Sequence, residues 1–417
     1  MLEDLSKTSG KVAKIFGLWG RNAKVLVATE PFWGIPMSWV FFYRTIFLSE
    51  AIGLSKVEIG LLSTVLTFFS ILSPLGGGYL ADRFGRKRVF MLFDSLGWLS
   101  VLAIWAITRN IWYALAAYVL EGMVTIVFSV WECLLVEDTE PRYRASIYGY
   151  VSATYYIGAL STPLAGFFIG SYGLDFGCRM LFTLAFTSML PMFTIRQIYL
   201  RETDLGYQIM KERSFSGLKG YLASFSMIRK NRILAALLLL TVIGSFYYAV
   251  ATYLPLYLID GRGLGLSEDI ASLIPGASST SSLIIVLLII PKLKSRKSYV
   301  KALASGYGLG CLAILLLIYS PRGYLPFALV SGFLLGIYLA TSFSVSRTLL
   351  TNEIESVDSR ARAKILSINI TLSSILNLPT PILAGYLFSL EPKLPFIAVS
   401  AALIISLATL LIAIKRD

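Results

Sequence analysis

Four carboxylic acids lie inside long apolar stretches of this 417-residue chain: Glu30, Asp94, Glu121 and Glu132. An ionisable side chain at the centre of a membrane helix costs about 2.5–3.5 kcal/mol or more, so an acid kept there has a partner or a task. The task within its chemistry is reversible proton binding. The chain has no histidine, so any proton handling falls to carboxylates. Glu121 stands about ten residues from either end of its apolar run. Glu132 follows eleven positions later, within about 20° of the same helix face. Tyr118, Thr125 and Ser129 fall near that face, which predicts a polar stripe. Glu30 precedes Pro31, with Gly34 and Pro36 close behind, so its helix should bend beside the acid. Asp94, six residues past Arg88, is within reach of loop cations. The second half of the chain carries no acid within its apolar runs. This asymmetry gives proton handling to the first half and the shaping of a substrate pocket to the second.

These residues need elements that span a bilayer. Hydrophobic residues make up 56% of the chain and charged ones 15%, and the mean hydropathy is +0.73. A spanning helix takes about 20 mostly apolar residues. Twelve runs qualify, near 25–47, 57–80, 89–108, 111–135, 145–170, 178–198, 233–258, 269–291, 299–319, 324–350, 364–389 and 395–414. The expected fold is therefore an all-α membrane protein of twelve transmembrane helices. With alternating sides, only Arg44, Lys56, Arg109, Arg179, Arg262, Arg322 and Lys393 of the 37 basic residues fall outside. The excess on the other side predicts that both termini are cytoplasmic in a plasma-membrane protein. The net charge of +13 is thus a topology and lipid-headgroup signal, not one for nucleic acid. Cys133, Cys178 and Cys311 form no Cys-x-x-Cys pair, so no disulfide framework, metal or cofactor is expected. Residues 1–24 read as a basic lead-in without a cleavable signal.

A polar connector follows the sixth run, with Arg196, Arg201, Lys211, Arg213, Lys219, Arg229, Lys230 and Arg232. It divides the chain into bundles 1–198 and 233–417, joined by 199–232. The halves repeat one plan: Gly53-Leu54-Ser55 and Gly265-Leu266-Ser267, Glu137 and Glu353, Pro163 and Pro381, Gly166 and Gly385, at offsets of 212 to 219 residues. Such pseudo-symmetric repeats place a substrate site near the midplane between two six-helix bundles. No lysine or arginine is placed near the middle of a run, which favours a cationic or neutral substrate over an anion. Phe32, Trp33, Tyr155, Tyr156, Tyr247, Tyr248 and Tyr338 are candidate aromatic faces for a lipophilic cation. Gly306-Tyr-Gly308-Leu-Gly310 lies inside a run and is not a nucleotide loop.

Between the second and third runs the chain reads Gly78-Tyr-Leu-Ala-Asp82-Arg83-Phe-Gly85-Arg86-Lys87-Arg88. Gly-x-x-x-Asp-Arg-x-Gly-Arg-Lys resembles the loop signature of the major facilitator superfamily of transporters, matched at Gly78, Asp82, Arg83, Gly85, Arg86 and Lys87. The resemblance covers essentially the whole chain. It implies alternating access, a cavity lined by helices one, four, seven and ten, and a cytoplasmic lock built on Asp82 and its arginines. Glu137 is the natural acidic partner for Arg86. The second-half loop, Pro291-Lys-Leu-Lys-Ser-Arg-Lys-Ser298, lacks the signature, and Leu200-Arg201-Glu202-Thr203 replaces the sugar-porter element. Gly158-Ala-Leu-Ser-Thr-Pro163-Leu-Ala-Gly166 loosely resembles the drug/proton antiporter element. Tyr118 stands where that group carries an arginine. The implied function is a proton-coupled secondary transporter acting as a monomer and exporting amphiphilic or cationic small molecules. The alternative is proton-coupled uptake of a small polar nutrient. No nucleophile constellation supports an enzyme.

Overall fold

Hydrocarbon leaves backbone N–H and C=O groups no partners but one another, and the apolar runs are accordingly helical. The computed structural model describes residues 17–212, 231–293, 295–358 and 362–415, with no strand among them. The first half holds α1 Arg21–Thr29, α2 Pro31–Ile46, α3 Lys56–Phe84, α4 Arg86–Ile107, α5 Ile111–Val124, α6 Ile126–Val136, α7 Pro141–Leu160, α8 Thr162–Tyr172 and α9 Leu174–Tyr199. After α10 Asp204–Glu212 come α11 Arg232–Ala251, α12 Leu254–Ile259, α13 Glu268–Ala271, α14 Leu273–Ile284, α15 Arg296–Tyr319, α16 Leu325–Asp358, α17 Arg362–Asn377, α18 Thr380–Leu390 and α19 Leu394–Lys415.

Among the described residues, ten spans are long and apolar enough to cross a bilayer, and eleven if α1 and α2, bent by 40°, count as one. The expected run 145–170 is helical but interrupted. It stops at Leu160 and restarts at Thr162, with Pro163 in the first turn of α8. Proline offers no N–H and its ring displaces the preceding turn. The run 111–135 also parts, at Thr125, whose hydroxyl donates to the Gly122 carbonyl at 2.7 Å. Of the connector, α10 is a short described helix; residues 213–230, with Arg213, Lys219, Arg229 and Lys230, lie outside the described residues.

The chain packs as two compact units. The first comprises Met1–Val40, Phe68–Gly158 and Arg179–Phe215. Its core centres on Trp105, which meets Tyr118 edge-on at 5.4 Å and Phe182 at 6.1 Å.

The second comprises Phe41–Thr67, Ala159–Cys178 and Ser216–Asp417. Here the first turns of α3 lie directly on α18. A Cβ on Gly60 would come within 2.6 Å of both the Pro381 carbonyl oxygen and the Tyr253 hydroxyl. That hydroxyl lies 3.0 Å from the Lys56 carbonyl oxygen and 3.1 Å from that of Pro381, joining three segments. Tyr43 donates to the Glu268 carbonyl at 2.9 Å. Along α15, Gly306 and Gly310 make room for Thr341 and Tyr338 of α16. Ser281 and Ser282 of α14 donate to the Phe333 and Gly336 carbonyls at 2.6 and 2.9 Å. Small residues let helices approach without a hydrophobic drive, which lipid does not provide. Gly60→Ala is expected to cost about 1–3 kcal/mol through overpacking. Thermal unfolding in detergent measures it, and an unchanged midpoint would refute the close contact.

Candidate functional site

The first unit buries a cation that its own acids surround. Arg196, three residues before the end of α9, is 3% exposed. Its Nη2 donates to Glu30 Oε2 at 2.8 Å and its Nη1 to Asp94 Oδ2 at 3.2 Å. Its Nε donates to Thr29 Oγ1 at 3.0 Å. The Phe90 ring covers the guanidinium at 5.8 Å. The other Glu30 oxygen accepts from the Tyr155 hydroxyl at 2.9 Å. Both carboxylates are themselves nearly inaccessible, Glu30 at 4% and Asp94 at 4%.

Local sequence explains this convergence. Pro31 breaks α1 from α2 right after Glu30, so the acid leaves the helix at a bend. Gly34 then admits the Tyr155 ring, which would stand 3.2 Å from a Cβ there. Trp33 meets Trp98 at 5.5 Å and Tyr155 at 5.7 Å, both edge-on. An aromatic cluster therefore adjoins the charged one, and Tyr155 reaches from it to the surface.

This geometry corrects two expectations. Arg196 belongs to no polar connector: it is inside the helical packing. Asp94 is bound by Arg196 and not by a loop cation, because α9 brings the guanidinium to its side. Arg196 escaped the sequence reading because it sits near the end of an apolar run, where an arginine ordinarily snorkels outward.

The other acids lie differently. Glu121 is half-buried on α5, and Arg196 does not bind it. Glu132 is exposed and accepts from Tyr148 at 2.8 Å. Tyr118 is buried against Trp105, whereas Glu132, at the far end of the expected stripe, is exposed. The side chain of Ser129 lies outside the described residues. Phe32 and Tyr155 are exposed and Tyr156 is half-buried. In the second unit Tyr247 meets Tyr248 at 5.5 Å and Tyr338 at 5.3 Å; Tyr247 and Tyr338 are buried and Tyr248 is exposed.

The loop after α3 anchors a second network. Gly85 takes φ 91° and ψ 149°, a conformation closed to side chains, and starts α4. Glu202 Oε2 accepts from the Lys87 N–H at 2.9 Å, so a carboxylate from beyond α9 caps the N-terminus of α4. Arg86 is ion-paired with Glu137. The Thr203 hydroxyl donates to Glu137 Oε2 at 2.6 Å, and Arg86 Nη1 is 3.4 Å from the same hydroxyl. Asn22 bonds to Asp138 Oδ2 and to both main-chain groups of Arg201. Partial burial, followed by the charges of Asp204 and Glu202, pushes the Asp138 carboxyl up, against the pull of Arg86. Arg83 is exposed and lies over the Phe84 ring at 5.3 Å. Beyond their helical backbone, Gly78 and Asp82 lie outside the described residues. The spacing of Leu200-Arg201-Glu202-Thr203 carried the network's signal, an acid and a hydroxyl just past a helix end.

Fold and site together define a polytopic helical membrane protein with acids and an arginine buried in its interior. The family model described as Major Facilitator Superfamily matches residues 34–375, and the chain belongs to that family. It is thus a multi-pass membrane protein. It is 27% identical over 257 residues to a Na(+), Li(+), K(+)/H(+) antiporter of Planococcus maritimus, covering 58% of each chain, so it spans little more than half of that relative. Multidrug resistance protein 2 of Bacillus subtilis (strain 168) is 26% identical over 352 residues, 81% of each chain. Among solved structures, the nucleoside transporter NupG shares the fold at TM-score 0.70 and 11% identity, over 95% of this chain and 100% of that one.

Proposed function

We propose that the protein is a proton-coupled antiporter that exports amphiphilic or cationic organic molecules by alternating access. The observation that carries this reading is the sharing of one guanidinium, Arg196, by two buried carboxylates, Glu30 and Asp94. With both acids ionised the cluster is one charge negative. A proton neutralises it, and so does a monovalent cation, so the two compete for one vacancy of charge. The ring cluster of Trp33, Trp98 and Tyr155 beside Glu30 suits a lipophilic cation. The similarity to a multidrug resistance protein supports the same substrate class.

The reading includes twelve helices in two six-helix bundles, residues 1–198 and 233–417, in the plasma membrane, with both termini cytoplasmic and the protein monomeric. Gly78, Asp82, Arg83, Gly85, Arg86, Lys87 and Glu137 form its gate. Glu121 is the second candidate for coupling. A second reading is exchange of an inorganic monovalent cation for protons, which the carboxylate pair and the similarity to a Na(+), Li(+), K(+)/H(+) antiporter favour.

Proteoliposomes with an imposed pH gradient separate these. Wild type is expected to move a fluorescent lipophilic cation against its gradient, and Glu30→Gln to lose that movement while still equilibrating the dye. Proton release on addition of Na+ or K+ alone, without dye movement, would replace the first reading by the second. Uphill transport by Glu30→Gln would move the coupling site to Glu121, whose Glu121→Gln variant is then the one expected to fail.

A further inference from the structure

One cavity borders the proposed gate through Lys87 and has no part in the proposed coupling. It has a volume of about 580 Å3 and lies in the first unit, beside α10. Its lining combines Lys87, Arg88 and Arg201 with the apolar surfaces of Phe84, Tyr207 and Met210. Phe84 is the last residue of α3, Lys87 and Arg88 open α4, and Arg201 follows α9 by two residues. The cavity therefore sits where three helices leave the apolar zone. Arg88 and Arg201 are exposed, and Phe84 and Tyr207 keep 47% and 55% of their surface open.

Two acids also line it, Glu202 and Asp204. Glu202 is already committed, its oxygens accepting from the N–H groups of Lys87 and Thr203 at 2.9 and 3.3 Å. Asp204 adds its field to the burial that pushes the Asp138 carboxyl up. The Lys87 ammonium touches the Gln197 carbonyl at 3.0 Å and has N–H groups remaining. Three cations against two acids leave the lining one charge positive. That is the complement of a single phosphodiester, and the exposed rings beside it complement the first carbons of acyl chains.

We propose that this cavity binds the headgroup of an anionic phospholipid. Lys87, Arg88 and Arg201 hold the phosphate, and Phe84, Tyr207 and Met210 hold the glycerol and upper acyl carbons. The occupant is a membrane lipid and not a soluble phosphate, because cation and apolar surface are presented together at the helix ends. Basic pockets at the membrane boundary recognise lipid phosphates in this way.

The test uses full-length protein, delipidated in detergent and titrated with phosphatidylglycerol or phosphatidylcholine. Bound lipid is counted by native mass spectrometry. Phosphatidylglycerol is expected to bind the tighter, and Arg88→Gln and Arg201→Gln each to weaken it about fivefold. Both arginines are exposed, so the melting temperatures should stay at the wild-type value, which separates lost binding from lost folding. Equal affinity for the two lipids, or unchanged binding in the double variant, would overturn the proposal. Displacement of phosphatidylglycerol by millimolar inorganic phosphate would also overturn it, and would make the cavity a soluble-anion site.

Discussion

Arg196→Leu is expected to be the most damaging single substitution in the first unit. It removes the one cation from a site where Glu30 and Asp94 are almost inaccessible to water. Breaking a buried ion pair from one side costs about 3–5 kcal/mol, because the charge left behind has neither water nor partner. Here two carboxylates are left. The variant should accumulate poorly and melt well below wild type in detergent. The triple variant Arg196→Leu, Glu30→Gln, Asp94→Asn should recover most of that stability, since a neutral cluster has no charge to desolvate. It should carry no proton-driven flux. A single variant melting like wild type would show that the cluster is hydrated and weak.

Gly85→Val should have the next largest effect, through two additive causes. The residue's φ of 91° and ψ of 149° lie in a region essentially restricted to glycine, at a cost of about 1–3 kcal/mol for any other residue. A Cβ would also stand 2.7 Å from Glu202 Oε2 and displace the carboxylate that caps α4. Transport should fall to background while the protein still inserts. Glu202→Gln isolates the second cause: it keeps the shape, weakens the cap and should lower transport only in part. Normal transport by Gly85→Val would remove the loop from the mechanism.

The membrane class and the family were legible because a bilayer imposes them on composition. Apolar runs, sparse charge and a basic bias are demands of the solvent, and they survive without any knowledge of packing. Gly85 was legible as a position of the loop signature, and its φ of 91° at the start of α4 is the local demand behind that position. The Arg196 cluster was not legible as a cluster, because Thr29 and Glu30 at the end of α1, Asp94 of α4, Tyr155 of α7 and Arg196 of α9 meet only through tertiary packing. Nothing local distinguishes a buried arginine near a helix end from a snorkelling one. Glu202 was hidden likewise: it caps a helix 115 positions earlier in the chain. The interruption at Ser161 was partly visible in Pro163, though a hydropathy window runs straight across it.

The shared guanidinium has a consequence for voltage dependence. Arginine stays protonated in proteins, so on the proposed cycle the cluster has three occupancies. Empty, it is a net anion; carrying a proton or a monovalent cation, it is neutral. Reorientation of the neutral forms moves no net charge at the site and is indifferent to voltage. The empty form would have to carry one uncompensated charge through the field, worth about 2.3 kcal/mol per 100 mV. On the proposed cycle the unloaded carrier therefore crosses with a bias set by the sign of the voltage, opposed in one direction and assisted in the other, whereas the loaded forms do not feel it.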